Sequence, residues 1–351
     1  MQNRWPRLVG KNSRLDVHGW GRDSTILVIH CDSGASGFGY APGVTEEQAT
    51  ALAQEHRGKR LTEVFDPATG RRGGVVKQLD FALHDLAGVI LNLPVYEMIS
   101  GNSVPLRVPL YSGMIYFDDL EPFDQQPGID QVLFNAGADH AYGYRQMKIK
   151  VGRGSMWMPR DEGLERDIQV TRALAEAYPD VEFLADANDG FTVQETLDYL
   201  EGIGDVELFF LEEPFKENVE GFSTLRNYLD SVGSKTLIAD GEFQPDQEQL
   251  DDLISRGLLD LHLTDVYGLG FTEWRALMPT LQARGVVASP HNWGARLKTV
   301  YTSHLASGLG NVPTVEGVTA FSKHIDFSDY DPQEDGSIVP PRKPGFGLVL
   351  A

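Results

Sequence analysis

A single cysteine, Cys31, stands among the 351 residues, so no internal disulfide can staple the fold and a reducing compartment is expected. Long apolar runs are missing as well. No stretch reaches 18 consecutive apolar residues, and Met1-Gln2-Asn3-Arg4-Trp5 opens no signal-peptide core, so a cytoplasmic protein without a membrane partner is expected. Cations are the third shortage. Thirty lysines and arginines face 51 aspartates and glutamates, and the formal net charge of −21 sets up a field that repels nucleic acid and anionic lipid. A small carboxylate ligand would be repelled too, so it must be held by local lysine, arginine or metal. The sign reverses over residues 1–23, where Arg4, Arg7, Lys11, Arg14 and Arg22 oppose Asp16 and Asp23. That segment is either a solvated tail or a loop that meets an anion by closing over it.

The apolar fraction of 41% is that of an ordinary globular protein, and the length suits two domains, one of them a barrel of about 250 residues. Thr25–His30 and Gly37–Ala41, joined through Asp32-Ser33-Gly34, read as a hairpin, and Thr45-Glu46-Glu47-Gln48 as a helix start. Val75 to Ile99 is apolar at helical spacing, punctuated by Pro94. Residues 1 to 105 thus form an α+β unit.

Beyond it, strand and helix alternate. Strands are expected at Val108–Ser112, Gln146–Val151, Val181–Asp186, Leu208–Glu212, Thr236–Asp240, Leu259–Thr264, Val286–Ser289 and Pro313–Glu316. The helices between them are amphipathic, with Leu164, Ile168, Thr171, Ala175 and Tyr178 on one face, then Phe222, Leu225, Leu229 and Val232, then Trp274, Leu277, Met278 and Leu281. This alternation predicts an α/β fold with a TIM-like barrel; a doubly wound open sheet is the alternative, without its Gly-rich first turn. The Pro- and Gly-rich tail from Asp326 to Ala351 is expected to run back across the surface.

Met147-Lys148-Ile149-Lys150-Val151 alternates with period two, so a strand here sends Lys148 and Lys150 to one face. Alone, such a pair reads as a solvated edge strand. Inside a barrel, like charge and burial both favour a neutral amine, and one lysine becomes a candidate base. Asp186, Glu212 and Glu242 end or follow three successive strands, and Asp240 offers itself beside Glu242. Three carboxylates converging on one mouth need a cation, and oxygen-only ligands favour Mg²⁺. His291 follows the seventh strand and Asp265 the sixth, an arrangement in which a carboxylate orients an imidazole. Glu316, ending the eighth, is a further candidate for substrate binding or acid work.

These motifs together resemble the enolase superfamily, mandelate racemase type. They are Lys148-Ile149-Lys150, Asp186-Ala187-Asn188, Glu212-Glu213-Pro214, Gly241-Glu242 and Pro290-His291-Asn292, with His84-Asp85-Leu86-Ala87-Gly88, Leu93-Pro94-Val95-Tyr96 and Pro344-Gly345-Phe346-Gly347 outside the barrel. The resemblance implies a (β/α)7β barrel over 106–320 under an α+β cap built from 1–105 and the returning segment 321–351. It implies Mg²⁺ on Asp186, Glu212 and Glu242, with Asn188 and Glu316 on the substrate. It also implies removal of the proton α to a carboxylate by Lys150, whose pKa Lys148 lowers, or by His291 backed by Asp265. Aligned on Gly270-Phe271-Thr272-Glu273 without a gap, Thr264 takes the dyad position; a one-residue deletion gives it to Asp265. The N-terminus is without the full first strand usual in the family.

Dehydration of a sugar acid to a 2-keto-3-deoxy acid is the leading expectation. Racemisation or epimerisation by Lys150 and His291 as opposing bases uses the same residues. A Schiff-base aldolase would leave the carboxylates without a task, and a non-catalytic barrel that binds a sugar acid is the remaining class. A homo-oligomer is expected.

Overall fold

The computed structural model describes residues 1–120 and 127–351. The chain opens with two antiparallel strands, β1 (Gln2–Val9) and β2 (Gly19–Asp23), followed by the expected hairpin, β3 (Ile26–His30) against β4 (Ser36–Tyr40). β1 is eight residues long although the family's full first strand is not evident in the sequence, and Arg4 exchanges both backbone hydrogen bonds with Phe321 at 2.9 Å. Helix α1 (Glu46–His56) starts where its capping signal lies: the Thr45 hydroxyl accepts from the Gln48 N–H, and the Gln48 side chain accepts from the Thr45 N–H. After α2 (Leu61–Val64) and the short pair β5 (Phe65–Asp66) and β6 (Gly70–Arg71), the apolar run becomes two helices, α3 (Asp80–Leu91) and α4 (Val95–Ser100). Asn92 in the left-handed region ends the first, and Pro94 precedes the second. β4 lies so close on α3 that a Cβ at Gly37 or Gly39 would overlap the backbone of Leu86 or Ala82.

Eight parallel strands follow: β7 (Val108–Ile115), β8 (Gln146–Lys150), β9 (Glu182–Asp186), β10 (Leu208–Glu212), β11 (Leu237–Asp240), β12 (Leu261–His262), β13 (Val287–Ala288) and β14 (Val315–Gly317). Between them run α5 (Ile129–Tyr142), α6 (Arg160–Ala177), α7 (Val193–Ile203), α8 (Val219–Val232), α9 (Gln247–Ser255), α10 (Val266–Leu269), α11 (Phe271–Ala283) and α12 (Arg296–Leu309). The ladder is continuous from β14 through β7 to β13. Between β13 and β14 the ring closes through the Ala288 N–H on the Asn311 carbonyl, 3.0 Å, and the Ser289 hydroxyl on the Thr314 carbonyl, 2.9 Å. The sixth and seventh strands are shorter than expected, only two paired residues each.

Period two then divides the barrel. Met147, Ile149, Phe183, Ala185 and Leu211 pack outward in the main core, while Tyr111, Leu184, Phe210, Ala239 and Leu261 fill the interior, the face shared by Lys148 and Lys150. On α6 the expected face is displaced. Its most buried positions are Gly163, Asp167, Val170, Thr171 and Leu174 rather than Leu164, Ile168 and Ala175, because buried Asp167 turns inward to bind Arg153. The C-terminal tail also departs from expectation. Tyr330, Ile338 and Phe346 are buried; β15 (Ser337–Ile338) pairs antiparallel with β7, and the Phe346 N–H donates to Asp85 in α3. No helix among the described residues is long and apolar enough to cross a membrane.

Candidate active site

Strand register assembles the first part of the site. Lys150 stands opposite Asp186 on β9, and Asp186 opposite Glu212 on β10, so all three reach one level at the C-terminal mouth. Glu242 joins them by a turn: Gly241, with φ of 110°, takes a conformation open to glycine and swings the chain after β11 back over the mouth. Ligand atoms of Asp186, Glu212 and Glu242 all lie within 4.8 Å of one another. Asp240 is not among them. Ala239 points into the barrel, so Asp240 points away, and burial together with Glu213 and Glu217 pushes its carboxyl well above the usual range.

The donor set fits a hard divalent cation. It is all oxygen, and two of its atoms, Glu212 Oε1 and Glu242 Oε2, are buried without a hydrogen-bond partner among the described residues. Glu212 is raised well above an ordinary carboxyl by burial and then by Asp186, whereas Asp186 is held low because Lys150 and Lys148 outweigh its burial.

Both lysines are buried. Lys148 Nζ donates to Glu212 at 2.8 Å and lies 3.3 Å from Asp186 and 3.4 Å from Glu316. Burial alone favours the neutral amine, but these carboxylates overturn it and carry the Lys148 pKa well above the usual value. Lys148 is therefore a fixed ammonium. Lys150 donates to Asp186 and, at 3.1 Å, to Asn188 Oδ1. Asn188 Nδ2 is a buried donor with no partner among the described residues, and Asn188, Asp189 and Glu213 all hold left-handed φ of 45°, 58° and 40° at the mouth. Such strain is persistent only where surroundings enforce it, and it gathers at functional sites.

Across the ring, His291 Nδ1 meets Asp265 Oδ2 at 2.9 Å, while Nε2 faces Glu242 at 3.4 Å and Glu316 at 3.9 Å. Burial would lower the imidazole; Glu242, Glu316 and Asp265 together raise it. Of the two dyad candidates it is Asp265 that reaches the ring. Thr264 turns to the Gly241 carbonyl and His262 instead. Glu316 Oε2 accepts the Asn292 N–H at 2.6 Å, which leaves its Oε1 facing Lys148.

Several residues of the mouth carry no sequence signal. Lys298, on α12, donates to the same Asp265 oxygen as His291 at 2.5 Å. Tyr116, whose ring lies 5.4 Å from Lys150 Nζ, and Trp293, two residues beyond His291, have ring centroids 5.3 Å apart. The basic N-terminal segment is not a tail. Residues 10–18 strap across the barrel: Ser13 bonds the Ala187 carbonyl, the Trp157 indole bonds the Asn12 carbonyl at 2.7 Å, and Arg14 reaches Glu213 at 2.9 Å and Glu242 at 3.8 Å. A separate cavity of 440 Å³ beside Arg296, Phe321 and Phe327 shares none of these groups.

Residues 134–351 match the family described as enolase C-terminal domain-like. The solved structure of a galacturonate dehydratase from Geobacillus sp., complexed with D-galacturonate and 5-keto-4-deoxy-D-galacturonate, is similar with a TM-score of 0.91 and 33% identity, over 100% of this chain and 92% of that one. A mandelate racemase/muconate lactonizing protein from Geobacillus sp. Y412MC10, complexed with magnesium and tartrate, gives a TM-score of 0.92 and 33% identity over 100% and 90%. Among curated proteins, the 3,6-anhydro-alpha-L-galactonate cycloisomerase of Streptomyces coelicolor is 25% identical over 95% of this chain and 91% of its own length.

Proposed function

The chain belongs to the enolase superfamily, mandelate racemase type, and from that premise we propose that it dehydrates a sugar acid: the α-proton and the β-hydroxyl leave as water, and the enol product becomes a 2-keto-3-deoxy acid. The observation that carries this reading is the placement of two proton carriers, Lys150 and His291, on opposite sides of the carboxylate group of Asp186, Glu212 and Glu242. Those carboxylates would hold Mg²⁺, which supplies positive charge where the substrate carboxylate gains negative charge.

The chain's own residues do the rest. Lys150, aimed by Asp186 and Asn188, removes the α-proton as the free amine. Lys148, a permanent ammonium, faces the charge that develops on the carboxylate. His291, oriented through Nδ1 by Asp265, hands a proton from Nε2 to the departing hydroxyl. Asn188 Nδ2 and Glu316 are left to hold the acid. The galacturonate dehydratase supports elimination over simple epimerisation: in galacturonate the carbon α to the carboxylate is C5 and the β-carbon C4, so a 5-keto-4-deoxy compound is the corresponding product.

The same two proton carriers also suit a racemase or epimerase. Proton NMR in D₂O with Mg²⁺, over hexonic, pentonic, uronic and aldaric acids, separates the two. A keto-deoxy product is expected. Exchange of the α-proton without a keto product would favour the epimerase instead, and no change in any acid would count against both.

A further inference from the structure

His18 ends the strap, and one side of its imidazole is fixed. Nδ1 lies 2.8 Å from the Gly10 carbonyl oxygen, which can only accept, so Nδ1 carries the proton. In the neutral ring the lone pair then resides on Nε2, which has no hydrogen-bond partner among the described residues. Neutrality is enforced: burial chiefly, with Lys150 and Arg22, brings the imidazole down to about 4.

The ring faces the chemistry. It stands edge-on to Tyr116 at 4.8 Å and to Trp293 at 5.6 Å. The Tyr116 ring is itself 5.4 Å from Lys150 Nζ, and Trp293 lies two residues beyond His291, backed by Trp5 stacked at 4.9 Å. His18, Tyr116 and Trp293 therefore make one wall beside Lys150 and the His291 loop, with the neutral acceptor Nε2 of His18 set into it. A carboxylate or carbonyl oxygen gains nothing from an acceptor; an O–H group does. A site that hydrogen-bonds a substrate hydroxyl discriminates strongly against the analogue lacking it, because the buried polar partner is left unpaired.

We propose that His18 determines specificity, its Nε2 accepting a hydrogen bond from a hydroxyl of the acid bound between Lys150 and His291, so that hydroxylated acids are selected over their deoxy counterparts. This rests on the sugar-acid reading above. It is tested by binding rather than turnover.

Calorimetry on the full chain with Mg²⁺ compares tartrate with succinate, the same four-carbon diacid without hydroxyls. His18→Asn keeps an amide N–H for Gly10 and removes the acceptor; His18→Gln places a carbonyl oxygen near the Nε2 position. The wild type should prefer tartrate. His18→Asn should cut that preference by about tenfold while changing succinate affinity by less than about twofold, and His18→Gln should restore part of it. An unchanged preference in His18→Asn, an equal loss for both diacids, or binding of neither by the wild type would overturn the proposal. Should His18→Asn fail to fold, ¹⁵N NMR of the wild type decides. The Nε2 resonance should move with tartrate and not with succinate, and an unmoved resonance overturns it. A protein that selects tartrate through His18 yet leaves every acid of the NMR panel unchanged would lose the dehydratase reading and keep this one.

Discussion

Replacing Asp265 by asparagine should disable His291 in a way that reveals its direction of proton transfer. Oδ1 accepts from the N–H groups of Tyr267 at 2.9 Å and Gly268 at 2.7 Å, and Oδ2 accepts from His291 Nδ1 at 2.9 Å and Lys298 at 2.5 Å. An amide oxygen can serve one pair, and its NH₂ then confronts donors on the other. With the oxygen kept on the start of α10, the NH₂ faces the imidazole, Nδ1 must become the acceptor, and the ring proton moves to Nε2. A wrong tautomer of this kind removes roughly 10³–10⁴ from a step in which His291 takes a proton. A step in which Nε2 gives one should fall less, by about 10², since Nε2–H is still present but is a weaker acid than imidazolium. The Lys298 bond is lost, about 1.5–3 kcal/mol, and the His291 bond falls from charge-assisted to neutral, about 1 kcal/mol, so stability should fall by roughly 2–4 kcal/mol. Asp265 is held below the usual carboxylate range because Lys298 and His291 outweigh its burial, so its stabilisation is complete at neutral pH. It is lost as the pH falls below about 4, and the stability gap between wild type and variant should narrow there. Exchange and elimination are read by NMR in D₂O, stability by urea unfolding. A turnover within about threefold of wild type would refute the dyad.

Three further outcomes follow from the same geometry. Mg²⁺ at a hundred times its Kd should stabilise the wild type by about 2.7 kcal/mol and leave Glu212→Gln unmoved; a wild-type unfolding midpoint indifferent to Mg²⁺ would remove the metal assignment. Lys150→Met should depress α-proton exchange on the Lys150 side by about 10²–10⁴, and equal exchange of both stereoisomers would take Lys150 out of the base role. Asp85 accepts the Phe38 and Phe346 N–H groups yet is pushed up to about 7 by burial. The folded state therefore keeps a proton that the unfolded chain releases near pH 4, and stability should decline as pH rises from about 4 to about 7, by at most about 4 kcal/mol. That slope should vanish in Asp85→Asn; a flat wild-type profile would contradict it.

The barrel is legible in the sequence because its signal is local: alternation within each strand and a helix after it. The exceptions have local causes too. Asp167 hides the inward face of α6 because a buried ion pair looks, in a hydropathy pattern, like a solvated side chain. At the site, Lys150, Asp186 and Glu212 are legible because each ends a strand and register carries them together. Asp240 and Glu242 have the same parity, so periodicity cannot separate them; the turn at Gly241 does. Thr264 and Asp265 differ by one residue, and only the course of the chain into α10 presents Asp265 to His291. Lys298, His18, Tyr116 and Trp293 belong to the mouth through contacts that no spacing encodes. Lys298 lies 33 residues from the carboxylate it binds, and His18 arrives on a strap whose path is set by Ser13, Asn12 and Arg14.

The charge of −21 and the anionic substrate proposed above are reconciled at the site itself. Asp186, Glu212, Glu242 and Glu316 bring four negative charges to the mouth; in the form proposed to start the reaction Lys150 is the free amine, and Lys148 and protonated His291 bring two positive charges, so the group carries two negative charges in excess. At about 5 Å and an effective dielectric of 20, each uncompensated charge opposes a substrate carboxylate by roughly 3 kcal/mol, enough in sum to abolish micromolar binding. A divalent cation removes that opposition. Without one, burial first and then the neighbouring Asp186 raise the Glu212 carboxyl well above its ordinary range. Metal and substrate should therefore bind in a linked fashion, and Arg14, already engaged with Glu213 and Glu242, does not replace the ion.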